Sequence, residues 1–417
     1  MKSYIDWLEK IQSLTSRVVK PDLFKTKEVL DQICHFSSNT KVIVVTGTNG
    51  KGSTIELITQ MLLNNGKKVG TYTSPHLFEF NERIRVNGIK VTEEEIVEEF
   101  ESIEKHKGRH ELTFFEYSTL AALSIFSKKD LDYLVLEVGI GGRLDTVNIM
   151  NADISIVTNI DLDHQKWLGD DVDSIGKEKS GIFRKKKPVV LGSNMPLSVF
   201  ETAKELSCPT YVLGNEFSIQ KQGLTVEYKS SKNSHRSTSF SLREDYVYLD
   251  NLAIAITTLD LLGENINFNF LKITEQSKLP GRCEFFEDRY LMDVSHNPSS
   301  VSFLKNYLTT SLFDGKRIFA VLGVNEEKDV HGMIRELEDR VSEWFIAEPK
   351  MSQPLKKENI SQILCKTGSK FTLCDGVSEA FVKADSFADK EAIVLVFGSF
   401  FTVNEAYFHL KKIRQAS

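Results

Sequence analysis

Apolar positions along the chain follow two patterns. Some form unbroken β-branched runs closed by glycine, and others recur at helical spacing in longer stretches. The run Lys41–Gly47 (KVIVVTG) is of the first kind and predicts a parallel strand buried on both faces. A helix is predicted from Ser53 to Asn65, then a short strand over Val69–Thr73. Thr92-Glu93-Glu94-Glu95 fits a capping box that opens an acidic amphipathic helix running to His106. Phe114–Lys129 reads as a more buried helix, and Tyr133–Gly139 (YLVLEVG) and Ile154–Ile160 (ISIVTNI) as further central strands. Strands alternating with helices imply an α/β fold whose mostly parallel sheet is covered on both faces.

The pattern shortens between residues 209 and 243. The segments TYVLG, FSIQKQ, LTVEYKS and TSFSLR alternate apolar and polar residues, and predict a small antiparallel sub-sheet with KSSKNSHRSTS as an exposed turn. A helix over Leu249–Leu262 follows, and Lys278–Arg282 (KLPGR) reads as a linker. Beyond it the α/β rhythm restarts, with strands predicted at Tyr290–Ser295, Arg317–Gly323, Trp344–Glu348, Lys370–Cys374 and Ala392–Gly398. The chain thus divides into residues 1–280 and 281–417, the second an open α/β domain of ordinary size.

Composition agrees with this division. The chain has 417 residues, and a single core rarely grows past about 250–300, so more than one domain is expected. Hydrophobic residues at 41% and charged residues at 26% are ordinary globular usage, which excludes extended disorder and collagen-like repeats. No apolar run approaches the roughly 18–20 residues of a spanning helix, so no membrane association is expected. The opening MKSYIDWLEKIQSL has neither signal-peptide nor transit-peptide character. A net charge of −6 gives no support for a nucleic-acid surface. Five scattered cysteines without C-x-x-C spacing read as reduced thiols of a cytoplasmic protein.

Candidate chemistry gathers where strands end. Gly47-Thr48-Asn49-Gly50-Lys51-Gly52-Ser53-Thr54 joins a buried strand to a helix. Glycine-rich backbone there can turn N–H groups toward phosphate, the helix N-terminus adds positive potential, and Lys51 adds a full charge. The common P-loop has glycine where Val45 stands and a hydroxyl where Gly52 stands, so the match is partial. Ser74, in Thr73-Ser74-Pro75-His76-Leu77, is either a turn residue or a hydroxyl ligand for Mg²⁺ beside a phosphate site. Glu137 falls late in a buried strand, where a carboxylate is costly unless paired or metal-bound, and reads as the partner of an arginine, a metal ligand or a water-orienting group, with the glycines of Gly139–Gly142 following. His164, in Asp161-Leu162-Asp163-His164, is a ligand, a base or a hydrogen-bonded loop histidine. Lys177-Glu178-Lys179 reads as a charged helix surface, and Asn251 as a helix cap or a reader of a base edge. In the second half, Arg282 is either a phosphate clamp or one side of an ion pair, and Asp293-Val294-Ser295-His296-Asn297-Pro298 again marks a strand end.

These motifs recur as an ordered set: GTNGKGS, TSPHL, NERIR, FFE, EVGIGGRLD, TNIDLDH, EKSGI, DNLAIA, LPGR, DVSHNP, GVNEEKD and FGSFFTV. In that order the chain resembles the folylpolyglutamate synthase/dihydrofolate synthase family of the Mur ligase superfamily, in its bacterial bifunctional form. The resemblance implies an N-terminal P-loop ATPase domain over 1–280 and a C-terminal Rossmann-like glutamate-ligase domain over 281–417, with ATP held in the cleft between them. It implies that Thr48, Asn49, Gly50, Lys51, Gly52 and Ser53 hold ATP phosphates, with Asn251 at adenine and Arg282, Asp293 and His296 completing the nucleotide site. It implies two Mg²⁺ sites drawing on Ser74, Glu137, His164 and Lys179, the last as a carbamate. Lys51, Lys179, His164 and Glu137 are its catalytic residues, and Arg83, Thr113, Phe114 and Asp145 its pterin-side residues. The implied reaction adds L-glutamate to dihydropteroate or to the tail of reduced folates through an acyl phosphate, in a monomer. A Mur-type ligase acting on another carboxylate and a P-loop kinase or NTPase are the alternatives. The family's usual DGAHNP is DVSHNP here, with Val294 and Ser295 beside the ligand-like Asp293 and His296.

Overall fold

The structure is a computed structural model that describes residues 2–14, 22–231, 236–389 and 391–416. It forms two compact units, Met1–Ser277 and Lys278–Ser417.

The first unit is built on a sheet of eight strands: β1 (Lys41–Thr46), β2 (Val69–Tyr72), β3 (Ile84–Val86), β4 (Ile89–Lys90), β5 (Tyr133–Glu137), β6 (Ile154–Val157), β7 (Val189–Leu191) and β8 (Thr210–Val212), in the order β4-β3-β2-β5-β1-β6-β7-β8. From β2 to β8 the neighbours run parallel, and β3 and β4 add an antiparallel edge. Alternation along β1 divides the core. Val42 and Val44 face a cluster with Phe100, Leu120 and Phe126, while Ile43 and Val45 face one with Ile55, Ile58 and Leu252. With both faces covered, the run has no polar position to spare, which is why it reads as unbroken apolar sequence.

The helix Lys51–Asn64 leaves β1 through Gly50, whose φ of +81° lies in the left-handed region. The capping box at Thr92 is present, with Thr92 Oγ1 accepting from the Glu95 amide at 3.2 Å, and the helix spans Glu93–His106. The helices Phe114–Ser127 and Leu249–Leu262 lie where sequence places them.

A second, three-stranded antiparallel sheet comprises β9 (Phe217–Gln222), β10 (Thr225–Ser230) and β11 (Arg236–Ser241), in the order β11-β10-β9. One expectation fails here. TYVLG does not join this sheet; its residues Thr210–Val212 pair in parallel with Val189–Leu191 and extend the large sheet. The helix Leu197–Glu205 supplies the crossover that a parallel neighbour requires. The centre of the expected KSSKNSHRSTS turn, residues 232–235, lies outside the described residues.

The second unit holds β12 (Glu284–Phe286), β13 (Tyr290–Met292), β14 (Arg317–Leu322), β15 (Val341–Ile346), β16 (Phe371–Leu373) and β17 (Ala392–Phe397), in the order β12-β13-β17-β14-β15-β16. All of these pair in parallel except β12, which is antiparallel to β13. Among the described residues no helix is long and apolar enough to cross a membrane.

Candidate active site

Chain order and spatial order diverge at β1, whose neighbours β5 and β6 arrive much later in the sequence. Such a switch point opens a crevice at the carboxyl ends of the strands. It sets side by side the loop after Thr46, the loop after Glu137 and the loop after Val157. Backbone bonds stitch them together: Val138 N to Val45 O at 2.9 Å, Thr158 N to Thr46 O at 3.0 Å and Thr48 N to Asn159 O at 3.0 Å.

Side chains then fix the glycine-rich loop. Asn159 Oδ1 accepts the Asn49 amide at 2.7 Å, and Thr158 Oγ1 donates to Asn49 O at 2.6 Å. Thr48 Oγ1 donates to Asp161 O at 3.1 Å. A Cβ on Gly47 would stand 1.9 Å from Thr158 Oγ1, so no larger residue fits there. Lys51 Nζ donates to Gly47 O at 3.0 Å and Thr48 O at 3.3 Å, curling over the loop it follows. Asn251 Nδ2 donates to Gly50 O at 3.0 Å and Thr54 Oγ1 at 2.8 Å, tying the Leu249–Leu262 helix to this loop. Gly52 and Ser53 form the first turn of the helix beginning at Lys51.

Glu137, 4% exposed, accepts the Ser74 amide at 3.0 Å, which joins the TSPHL and EVGIGGRLD motifs. Nearby stands a buried cation. Arg83 donates through Nε to His76 Nδ1 at 2.8 Å, and its guanidinium carbon lies 5.1 Å from the ring centre of Phe114 and 5.7 Å from that of Phe80. Burial pulls the Arg83 pKa down, opposed by Tyr72 and Glu137. Burial, and then the Arg83 charge, push His76 down to about 3, so its ring is neutral and Nδ1 accepts. Thr113 is occupied as the cap of the Phe114–Ser127 helix, accepting from the Glu116 amide at 3.2 Å.

Asp145 is buried against three backbone amides, those of Gly139, Ile140 and Val147, at 3.0, 3.1 and 2.9 Å. Burial raises its pKa to about 6, against the pull of those amides and of Lys51. Lys179, 4% exposed, lies on the helix Val172–Ser180. Burial and then the Lys51 charge lower it to about 7, with Asp163 and Asp145 opposing. His164 sits at φ +52° before the short helix Gln165–Leu168, and its amide donates to Asp163 Oδ1 at 2.8 Å. Among the described residues, no cluster of three or more His, Cys, Asp and Glu is placed to hold a metal ion. Of the sequence-predicted ligands, Ser74 and Glu137 stand together and carry the hydroxyl and carboxylate oxygens that a hard cation takes.

In the second unit, Arg282 lies over Phe400 with its guanidinium carbon 5.0 Å from the ring centre. Asp293 is buried, accepting from the Cys283 amide at 2.7 Å and the Ser295 amide at 2.8 Å, and Ser295 Oγ also donates to it. The serine of DVSHNP therefore adds a hydroxyl donor to Asp293. His296 Nδ1 lies 2.9 Å from Val294 O; a carbonyl only accepts, so Nδ1 carries the proton.

The Mur ligase middle-domain model matches residues 45–272, and the Mur ligase glutamate-ligase-domain model matches residues 281–400. The dihydrofolate synthase/folylpolyglutamate synthase of Buchnera aphidicola (subsp. Schizaphis graminum) is 35% identical over 404 residues, covering 96% of this chain and 95% of that protein. The chain belongs to the Mur ligase family, on its dihydrofolate synthase/folylpolyglutamate synthase branch. E. coli FolC in complex with DHPP and ADP superposes at a TM-score of 0.91, with 33% identity and 99% of both chains covered. A bifunctional folylpolyglutamate synthase/dihydrofolate synthase with Mn, AMPPNP and L-glutamate bound superposes at 0.89, with 32% identity over 99% of this chain and 98% of that one. As a Mur ligase of this branch, the chain is an ATP-dependent ligase.

In this Mur ligase Asn159 and Thr158 set the glycine-rich loop and His76 partners Arg83, three roles that no sequence pattern singles out. The first two stand in the quoted TNIDLDH run and the third in TSPHL, so their neighbours were the available signal.

Proposed function

We propose that the chain joins L-glutamate to the carboxylate of dihydropteroate, of a reduced folate, or of both, using ATP. The observation that carries this reading is the convergence of the Gly47–Ser53 loop, Glu137, His164 and Lys179 on adjoining strand ends and the helix beside them. An acceptor carboxylate oxygen takes the γ-phosphoryl group, releasing ADP and leaving an acyl phosphate. The glutamate nitrogen adds to the acyl carbon, the tetrahedral adduct expels phosphate, and loss of a proton leaves the amide. Phosphoryl transfer asks the protein for positioning and charge neutralisation more than for covalent help.

We assign the backbone of Thr48–Ser53 and the Lys51 ammonium to the ATP phosphates. Asn251 is assigned to adenine, and Arg282, Asp293 and His296 of the second unit to further nucleotide contacts. Ser74, Glu137, His164 and Lys179 are assigned to Mg²⁺ at two sites, where the metal supplies charge neutralisation for the phosphates. Lys179 would serve as a carbamate. Its buried amine, with a pKa near 7, is substantially neutral at physiological pH; Nζ bonds to CO2, a proton leaves, and an anionic oxygen donor results. Arg83, Phe114, Thr113 and Asp145 are assigned to the acceptor. The domains are taken as 1–280 and 281–417, acting as a cytoplasmic monomer.

The test is mass-spectrometric product analysis with Mg-ATP, L-glutamate and dihydropteroate or a reduced folate as competing acceptors. A product heavier by one glutamyl residue from at least one acceptor supports the reading. ADP formation without any glutamylated product overturns it.

A further inference from the structure

Arg184 reaches six acceptors, all of them carbonyl oxygens. Nη1 donates to Ile182 O at 2.9 Å and Phe183 O at 3.1 Å. Nη2 donates to Asn148 O and Asn148 Oδ1, each at 2.8 Å, and to Met150 O at 2.9 Å, while Nε reaches Asn151 Oδ1 at 3.4 Å. Asn148 completes the tie, its Nδ2 donating to Arg143 O at 3.0 Å and Gly181 O at 3.1 Å. One side of this brace is the segment around Asp145 and the turn Thr146–Ile149 that Asp145 caps. The other is the turn directly after the Val172–Ser180 helix that carries Lys179.

The two sides also interlock. A Cβ on Gly142 would stand 2.7 Å from Lys179 O, and one on Gly181 would stand 2.5 Å from Arg143 Cα. Backbones this close leave no slack, so a shift of one segment displaces the other. We infer that Arg184 and Asn148 are positioning residues that hold the Lys179 and Asp145 segments in register beside the phosphate loop, and so set the geometry of the metal–nucleotide site. This rests on the proposed role of Lys179 at that site. A fork of five fixed donors can serve several carbonyls at once, and a lysine ammonium cannot span them.

The test uses the full-length protein with Mn²⁺ as probe. Mn²⁺ affinity is titrated by electron paramagnetic resonance in the presence of ADP, alongside kcat, the acceptor KM and thermal unfolding. For Asn148→Ala and Arg184→Lys, cooperative unfolding is retained, Mn²⁺ affinity falls by about 10-fold or more, kcat falls with it, and the acceptor KM rises because the Asp145 segment shifts as well. In Arg184→Ala, added guanidinium at sub-denaturing concentration restores Mn²⁺ affinity. Should that variant not fold, Asn148→Ala keeps the test intact. Wild-type Mn²⁺ affinity and kcat in folded Asn148→Ala and Arg184→Lys would overturn the inference. Absence of ADP-dependent Mn²⁺ binding in the wild-type protein would instead sink the reading of the site on which it rests.

Discussion

Glu137 accepts the backbone amide of Ser74 at 3.0 Å, joining the end of β5 to the loop that follows β2. A nearly buried carboxylate is costly unless its charge is used. Glu137→Gln can keep an acceptor for Ser74 while removing the charge. It is expected to lower kcat by roughly 10²–10³-fold, with circular dichroism and thermal unfolding unchanged. Full activity would show that the charge serves only the fold.

Lys51 lies over the loop it is assigned to serve, within hydrogen-bond distance of the Gly47 and Thr48 carbonyls. Lys51→Met removes the charge and keeps much of the aliphatic stem. The expected outcome is a fall in kcat/KM for ATP of about three orders of magnitude. Calorimetric titration with an ATP analogue should show weakened binding in the same variant.

The pKa of Lys179 sets a pH dependence of stability. Its folded pKa, about 7, lies below the ordinary lysine value of 10.5. Below pH 7 both folded and unfolded chains carry the proton, so the burial penalty is present in full. Between 7 and 10.5 the unfolded chain binds more protons, and stability rises with pH. In CO2-free buffer without nucleotide, Lys179→Met is therefore expected to exceed the wild-type Tm at pH 6. The gap should narrow steadily as pH climbs toward 10. A gap that does not change with pH would contradict the assignment.

Arg83 is held by a neutral histidine and two aromatic rings, an arrangement that fixes the plane of its guanidinium. Arg83→Lys keeps the charge and loses the fork. Steady-state kinetics should show the acceptor KM rising by about 10-fold or more while the KM for ATP stays within about twofold.

Legibility followed the kind of partner each residue has. The buried strand Lys41–Thr46 and the capping box at Thr92 were readable because burial and capping impose residue types at fixed spacing. The Thr210–Val212 strand was misplaced because three residues carry too little pattern to show which sheet they join. Glu137 and Lys51 were visible as charges in places where charge is costly or useful. Arg184 and Asn148 were not, because most of their partners are backbone carbonyls brought close by the chain path, and carbonyls are common to every residue.

The central claim is that ATP activates the acceptor's own carboxylate. An acceptor carrying ¹⁸O in that carboxylate, turned over with Mg-ATP and L-glutamate, tests it directly. The oxygen that attacks the γ-phosphorus must leave with phosphate when the amide forms. The account predicts one labelled oxygen in the phosphate released per turnover. Phosphate free of label beside glutamylated product would contradict it.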